Sequence, residues 1–272
     1  MDKIKYKVRD WILEQPQKGK ITFSMDEVHS QFPSLNRNTV ASAIRRLVEG
    51  RKIQSVWHGF YVIVPVEYEL KGVVPPMVYI DRLMNFLQRD YYIGLLNAAA
   101  FYGAAHQQPQ VFTVVTDKKN FRDKHKNGVT INFVSKKEIP HPLVRKITTK
   151  TGFVSVSSPE LTAVDLVLYQ TETGGLSRAG TVLNELIEEM DFSHVPDDFF
   201  RTVSTPTIQR LGYILDRILE NSSMADALLS KAQEAGVKFR NTLLKSGNKT
   251  NGEYACNAKW KVIINEEIEI DE

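Results

Sequence analysis

Asn36, Arg37, Asn38, Thr39, Ser42, Arg45 and Arg46 crowd one short segment of this chain, and their side chains are of the kinds that pair with nucleic acid. Asn and Arg bond bidentately to adenine and guanine edges in the major groove, while hydroxyls and cations hold phosphates. Between them Val40, Ile44 and Leu47 recur at i, i+4 and i+7. A helix over Arg37–Glu49 would bury that stripe and leave the polar residues outside. Asn36 would cap its start, and Gly50 stands where a left-handed residue would stop it. On this geometry Arg37 and Asn38 are expected to read bases, and Arg45, Arg46 and Lys52 to hold phosphates.

Elements on either side must position that helix. Ser24-Met25-Asp26-Glu27 is a capping box that opens a short helix ending near Phe32-Pro33. After Gly50, the β-rich runs Ile53–Trp57 and Phe60–Val64 are joined by His58-Gly59 as a tight hairpin. Helix, turn, helix and hairpin in that order predict a winged helix-turn-helix with His58 at the wing tip. Charge follows the same division: residues 1–65 hold 11 Lys and Arg against 6 Asp and Glu, whereas the remainder is slightly acidic. A winged helix used for protein contact, with merely solvated arginines, is the alternative; pattern and charge together favour double-stranded DNA.

With 272 residues, 42% hydrophobic and 25% charged, the chain suits one small and one medium domain of a soluble protein. The lone Cys256 has no internal disulfide partner, no apolar leader opens the sequence, and no apolar run approaches a membrane span. A cytoplasmic protein without membrane contact is therefore expected. We place a boundary near Pro65, giving a DNA-binding domain over 1–65 and a second domain over 66–272 that starts with a connector, 66–76. The second domain mixes patterns, which makes the fold class α+β. Helices are expected over 79–88, 91–102, 161–169, 176–189, 208–220 and 224–233. Strands are expected over 110–116, 129–135, 143–149, 152–157 and 260–264. The acidic end, 266–272, reads as a solvated tail or edge.

Nothing in the second domain assembles an active site. The six histidines are scattered, without the pairing or cysteine company of a zinc site, and Gly174-Gly175 has no Lys-Ser/Thr after it. Neither metal nor cofactor is expected. Asp117-Lys118-Lys119 after a strand has the residue types of a metal-dependent nuclease, but a solvated basic loop accounts for it as well. That loop, with Lys118, Lys119, Arg122, Lys124 and Lys126, is a second candidate site for an anionic partner, though exposed charge runs are usually only solvated.

Several segments of the second domain resemble the AbiEi family of antitoxins: Tyr91-Tyr92-Ile93-Gly94-Leu95-Leu96-Asn97-Ala98-Ala99-Ala100, Val111-Phe112-Thr113-Val114-Val115-Thr116, the run from Val156 through Ser158-Pro159-Glu160 to Leu166, and Trp260-Lys261-Val262-Ile263-Ile264-Asn265. The resemblance covers essentially the whole chain, a winged helix followed by an AbiEi-type C-terminal domain. It implies a type IV, abortive-infection toxin–antitoxin system that serves phage defence, with a nucleotidyltransferase-like toxin encoded in the same operon. It also implies a transcriptional repressor that binds inverted repeats in its own promoter, and a non-enzymatic antitoxin for which a direct toxin complex is left open. The alternative is a DNA-processing enzyme or specificity subunit with a degenerate nuclease-like C-terminal domain.

Overall fold

Local signals in the first sixty residues are realised closely in a computed structural model, which describes residues 7–104, 109–117, 121–196, 198–247 and 253–270. The N-terminal region runs α1 (Val8–Glu14), β1 (Thr22–Ser24), α2 (Met25–Gln31), α3 (Arg37–Glu49), β2 (Ile53–Trp57) and β3 (Phe60–Ile63). At the start of α2 the Glu27 N–H donates to Ser24 Oγ at 3.1 Å and the Ser24 N–H to the Glu27 carboxylate at 2.7 Å. Each bond satisfies a donor that the first turn would otherwise leave orphaned. Val40, Ile44 and Leu47 on α3 are buried against Val8, Ile12, Phe23, Val28 and Ile53. Strand β3 lies between β1 and β2, antiparallel to both. One detail differs from expectation: Gly50 keeps φ −75, and Arg51 takes the left-handed conformation with φ 54. The Arg51 and Lys52 N–H groups then return to the Val48 and Leu47 carbonyls, so the reversal is made one residue later.

The connector contains a helical turn, α4 (Val66–Glu69), followed by α5 (Ile80–Phe86), β4 (Tyr91–Ile93) and α6 (Leu95–Phe101). The 91–102 segment is thus a strand and a helix rather than one helix. Tyr91, Tyr92 and Ile93 pair with one neighbouring strand, Ile93 also pairs with Val156 on the other side, and Gly94 makes the bend where a Cβ would come within 2.8 Å of the Val115 side chain. Strands β5 (Val111–Thr116), β6 (Lys124–Lys126), β7 (Val129–Ser135), β8 (Val144–Thr149) and β9 (Gly152–Ser157) complete a mixed sheet in the order β6-β7-β5-β4-β9-β8. Both sheet faces are covered. Ile93, Val114, Ile131, Phe133, Val154 and Val156 meet α5 and the β2–β3 hairpin residues Val56, Phe60, Val62 and Val64. Tyr92, Val115 and Val134 face the opposite, helical side.

That side is built from α7 (Pro159–Leu168), α8 (Gln170–Thr173), α9 (Leu176–Leu186), α10 (Phe199–Thr202), α11 (Thr205–Tyr213) and α12 (Ser222–Glu234). Ser158 caps α7 through the Leu161 N–H and Pro159 occupies its first position, as their order predicts. A small sheet of β10 (Thr242–Leu243), β11 (Cys256–Asn257) and β12 (Val262–Ile263) closes the fold. The expected late strand over 260–264 shortens to β12 because Lys261 takes the left-handed conformation with φ 52; Trp260 before it is fully buried, its ring lying over Gly212 where a Cβ would clash. The acidic end is packed rather than solvated over its described residues. Ile268 is buried, Ile270 sits against Gly180, and the Glu269 N–H donates to Ser177 Oγ at 3.2 Å. Alternation explains this: Ile268 and Ile270 share the inward side while Glu269 points out. No helix among the described residues is long and apolar enough to cross a membrane.

Candidate nucleic-acid interface

With its apolar stripe buried, α3 shows the opposite side to solvent. Asn36, Arg37, Asn38, Thr39, Ser42, Arg45 and Arg46 are all exposed. Asn38, Ser42 and Arg45 follow one another at i, i+4 and i+7, so they form a continuous outward row, with Arg46 and Arg37 at its borders. Two of the seven already have a task. The Asn36 side-chain oxygen accepts from the Thr39 N–H and from Thr39 Oγ1, both at 2.8 Å, which caps the helix. Among the described residues, Arg37, Asn38, Ser42, Arg45 and Arg46 have neither a side-chain hydrogen bond nor an ion pair. Their donors are turned to water and available to a ligand.

The flanking residues are placed differently. Lys52 is exposed but pairs with Glu69 at 2.9 Å, a surface contact that contributes little and that a phosphate could displace. His58 is exposed at the β2–β3 turn, where Gly59 adopts φ 73. Trp57 does not accompany it outward. Its ring packs edge-on against Phe121 and Phe133, at centroid distances of 5.7 and 5.9 Å.

The second basic stretch meets the first there. Lys118 and Lys119 lie outside the described residues, and Arg122 is exposed. Lys124 stands 4.6 Å from the Trp57 ring centroid, and Lys126 Nζ donates to Ser55 Oγ at 3.0 Å. Burial, then the neighbouring Lys124, lowers the pKa of Lys126. These two cations belong to a strand, β6, that the sequence reading treated as loop. The available signal was Asn127-Gly128, with φ 53 and 74, a two-residue turn of the kind that joins antiparallel strands. Lys-His-Lys offers no apolar alternation to accompany it.

Sequence reasoning also missed a charged cluster inside the second region. Lys136 Nζ and the Asp165 carboxylate lie 2.9 Å apart and buried, and the Tyr92 hydroxyl donates to the same carboxylate at 2.5 Å. Burial, reinforced by Asp165, raises the Tyr92 pKa well above its ordinary value, so the hydroxyl stays a donor. Satisfied in this way, the cluster ties the end of β7 to α7 and β4; removing one partner would leave a buried charge uncompensated. Asp117, of the nuclease-like fragment, lies on the surface 3.9 Å from Arg89. Among the described residues no group of three or more His, Cys, Asp or Glu is placed to hold a metal ion.

Comparison with known proteins bears on the second region. Residues 92–217 match a family model, the AbiEi antitoxin C-terminal domain. No curated protein matches the sequence. Among solved structures, the crystal structure of the RV2827C protein from Mycobacterium tuberculosis superposes with a TM-score of 0.64 at 12% identity, over 93% of this chain and 89% of that one. At that identity the likeness is one of fold, and it extends beyond the family match on both sides.

Proposed function

We propose that this chain, whose residues 92–217 match the AbiEi antitoxin C-terminal domain, is the antitoxin of a toxin–antitoxin pair and the repressor of its own operon. In this reading residues 1–65 are a winged helix-turn-helix, with α3 as recognition helix in the major groove and the β2–β3 hairpin as wing. Residues 66–272 counter a nucleotidyltransferase-like toxin encoded beside the gene, in the cytoplasm and without an enzymatic step of their own. The observation that carries the DNA-binding part is the outward row Asn38, Ser42 and Arg45, bordered by Arg37 and Arg46, with no side-chain partners among the described residues. Cations and amides left unpaired on a helix whose other side is rigidly packed match the groups that read base edges and hold phosphates.

Footprinting on the DNA upstream of the gene tests this part. Protection of an inverted repeat, lost in Arg37→Ala, supports the reading; uniform, salt-sensitive binding to any duplex contradicts it. The antitoxin part is tested by co-expression with the neighbouring toxin gene. Growth restored by the full chain supports the assignment, and growth arrest despite folded protein contradicts it.

A further inference from the structure

Away from α3, a cleft of about 690 Å³ opens between α5 and the β8–β9 hairpin. Its origin is topological. Strand β9 pairs with β4 only at Val156 and Ile93, and toward Gly152 the two diverge. The Ser155 N–H then reaches only the Tyr91 hydroxyl, at 3.4 Å. The register pairs Lys146 with Ser155 and Thr148 with Phe153, so Lys146, Ser155 and Phe153 share one face of the hairpin. That face is the one opposite Val154, which packs toward α5, and Arg82 of α5 lines the same cleft where β4 and β9 part.

Most charged side chains lining this cleft have partners in it or beside it. Asp81 accepts from the Asn85 amide at 3.0 Å and the Tyr91 hydroxyl at 3.1 Å. Asp90 faces His141 at 3.4 Å, and Arg89 faces Asp117 at 3.9 Å. Arg82 and Lys146 are exposed and, among the described residues, have no ion pair or side-chain hydrogen bond. Phe153 is 58% exposed, which places a large apolar ring in water beside them. Two unanswered cations and a bare aromatic face in one concavity are complementary to a phosphate joined to a flat heterocycle. The volume lies within the range of small-molecule sites. We propose that this cleft binds a nucleotide unit, its phosphate on Arg82 and Lys146 and its base against Phe153. Such a unit has two sources, a free nucleotide or the unpaired end of a nucleic acid.

Calorimetric titration of the full chain with AMP, with a 5′-phosphorylated single-stranded tetranucleotide and with inorganic phosphate tests the proposal. Saturable binding of AMP identifies a free nucleotide, and binding of the tetranucleotide alone identifies a nucleic-acid end. In either case inorganic phosphate binds at least about tenfold more weakly, and Phe153→Ala removes that difference. Arg82→Gln and Lys146→Gln each weaken binding by about tenfold. All three positions are exposed, so unchanged thermal unfolding of the variants shows that the fold is intact. The proposal is overturned if neither AMP nor the tetranucleotide binds, if phosphate binds as tightly as they do, or if the folded variants bind as the unaltered chain does.

Discussion

Helix α3 and the β6–β7 hairpin are both rich in cations, but the two regions use them in opposite ways. On α3, Arg37, Arg45 and Arg46 extend from a helix anchored by Val40, Ile44 and Leu47, and among the described residues nothing answers their charge. On β6, Lys124 lies over Trp57 and Lys126 is bonded to Ser55, so the cations clasp the neighbouring hairpin. Cations are therefore left without partners among the described residues in one place and form an internal joint in the other. What separates them is the far side of each element: α3 buries an apolar stripe and presents its polar face outward, whereas β6 has no apolar side and finds its partners across the sheet edge.

The joint is the place to break this comparison most severely. Trp57→Ala removes the ring on which Phe121, Phe133 and Lys124 converge, and should lower stability by about 2–3 kcal/mol in urea unfolding, below the full cost of a completely buried Trp because the ring is partly exposed. A change near zero would mean that the two regions are not held together there. On the other side, Arg37→Ala should cost about 1–3 kcal/mol of operator affinity and relax base preference while leaving the unfolding curve in place. Asn36 sharpens the distinction within α3 itself. Asn36→Ala loses the cap and about 1 kcal/mol of stability, whereas Asn36→Ser keeps both; equal melting of the two variants would refute the capping role. The smallest effect is expected at Lys124→Ala, about 0.5–1 kcal/mol of stability from the lost cation–ring contact. An operator-affinity loss exceeding that of Arg37→Ala would reverse the comparison.

How legible each region was in sequence follows from how local its determinants are. The caps of α2, α3 and α7 and the stripe of α3 depend on residues within a few positions of one another, and they form where spacing places them. Hairpin β2–β3 was equally readable, because its strands are adjacent in sequence and Gly59 supplies the turn. By contrast, β6 consists of Lys, His and Lys, and its pairing is visible only through Asn127-Gly128. The partners of Trp57 lie on β7 and just before β6, far along the chain, so no window of sequence shows that this ring turns inward. Ile268 and Ile270 are similar: their packing depends on Gly180 leaving space on α9. In the candidate interface, residue types, exposure and the cap at Asn36 were readable from spacing, while the bond of Lys126 to Ser55 depends on residues far apart in the chain.

The central claim is that DNA recognition resides in the unpaired face of α3 and not in basic charge as such. Two double variants, Arg37→Ala/Asn38→Ala and Lys124→Ala/Lys126→Ala, remove side chains from the two regions and can be titrated against one operator duplex at one salt concentration. The account predicts a loss of at least about tenfold in affinity for the first, on the scale of a bidentate base contact, and a change of less than about threefold for the second. Equal losses, or a larger loss from the β6 pair in protein that remains folded, would contradict it.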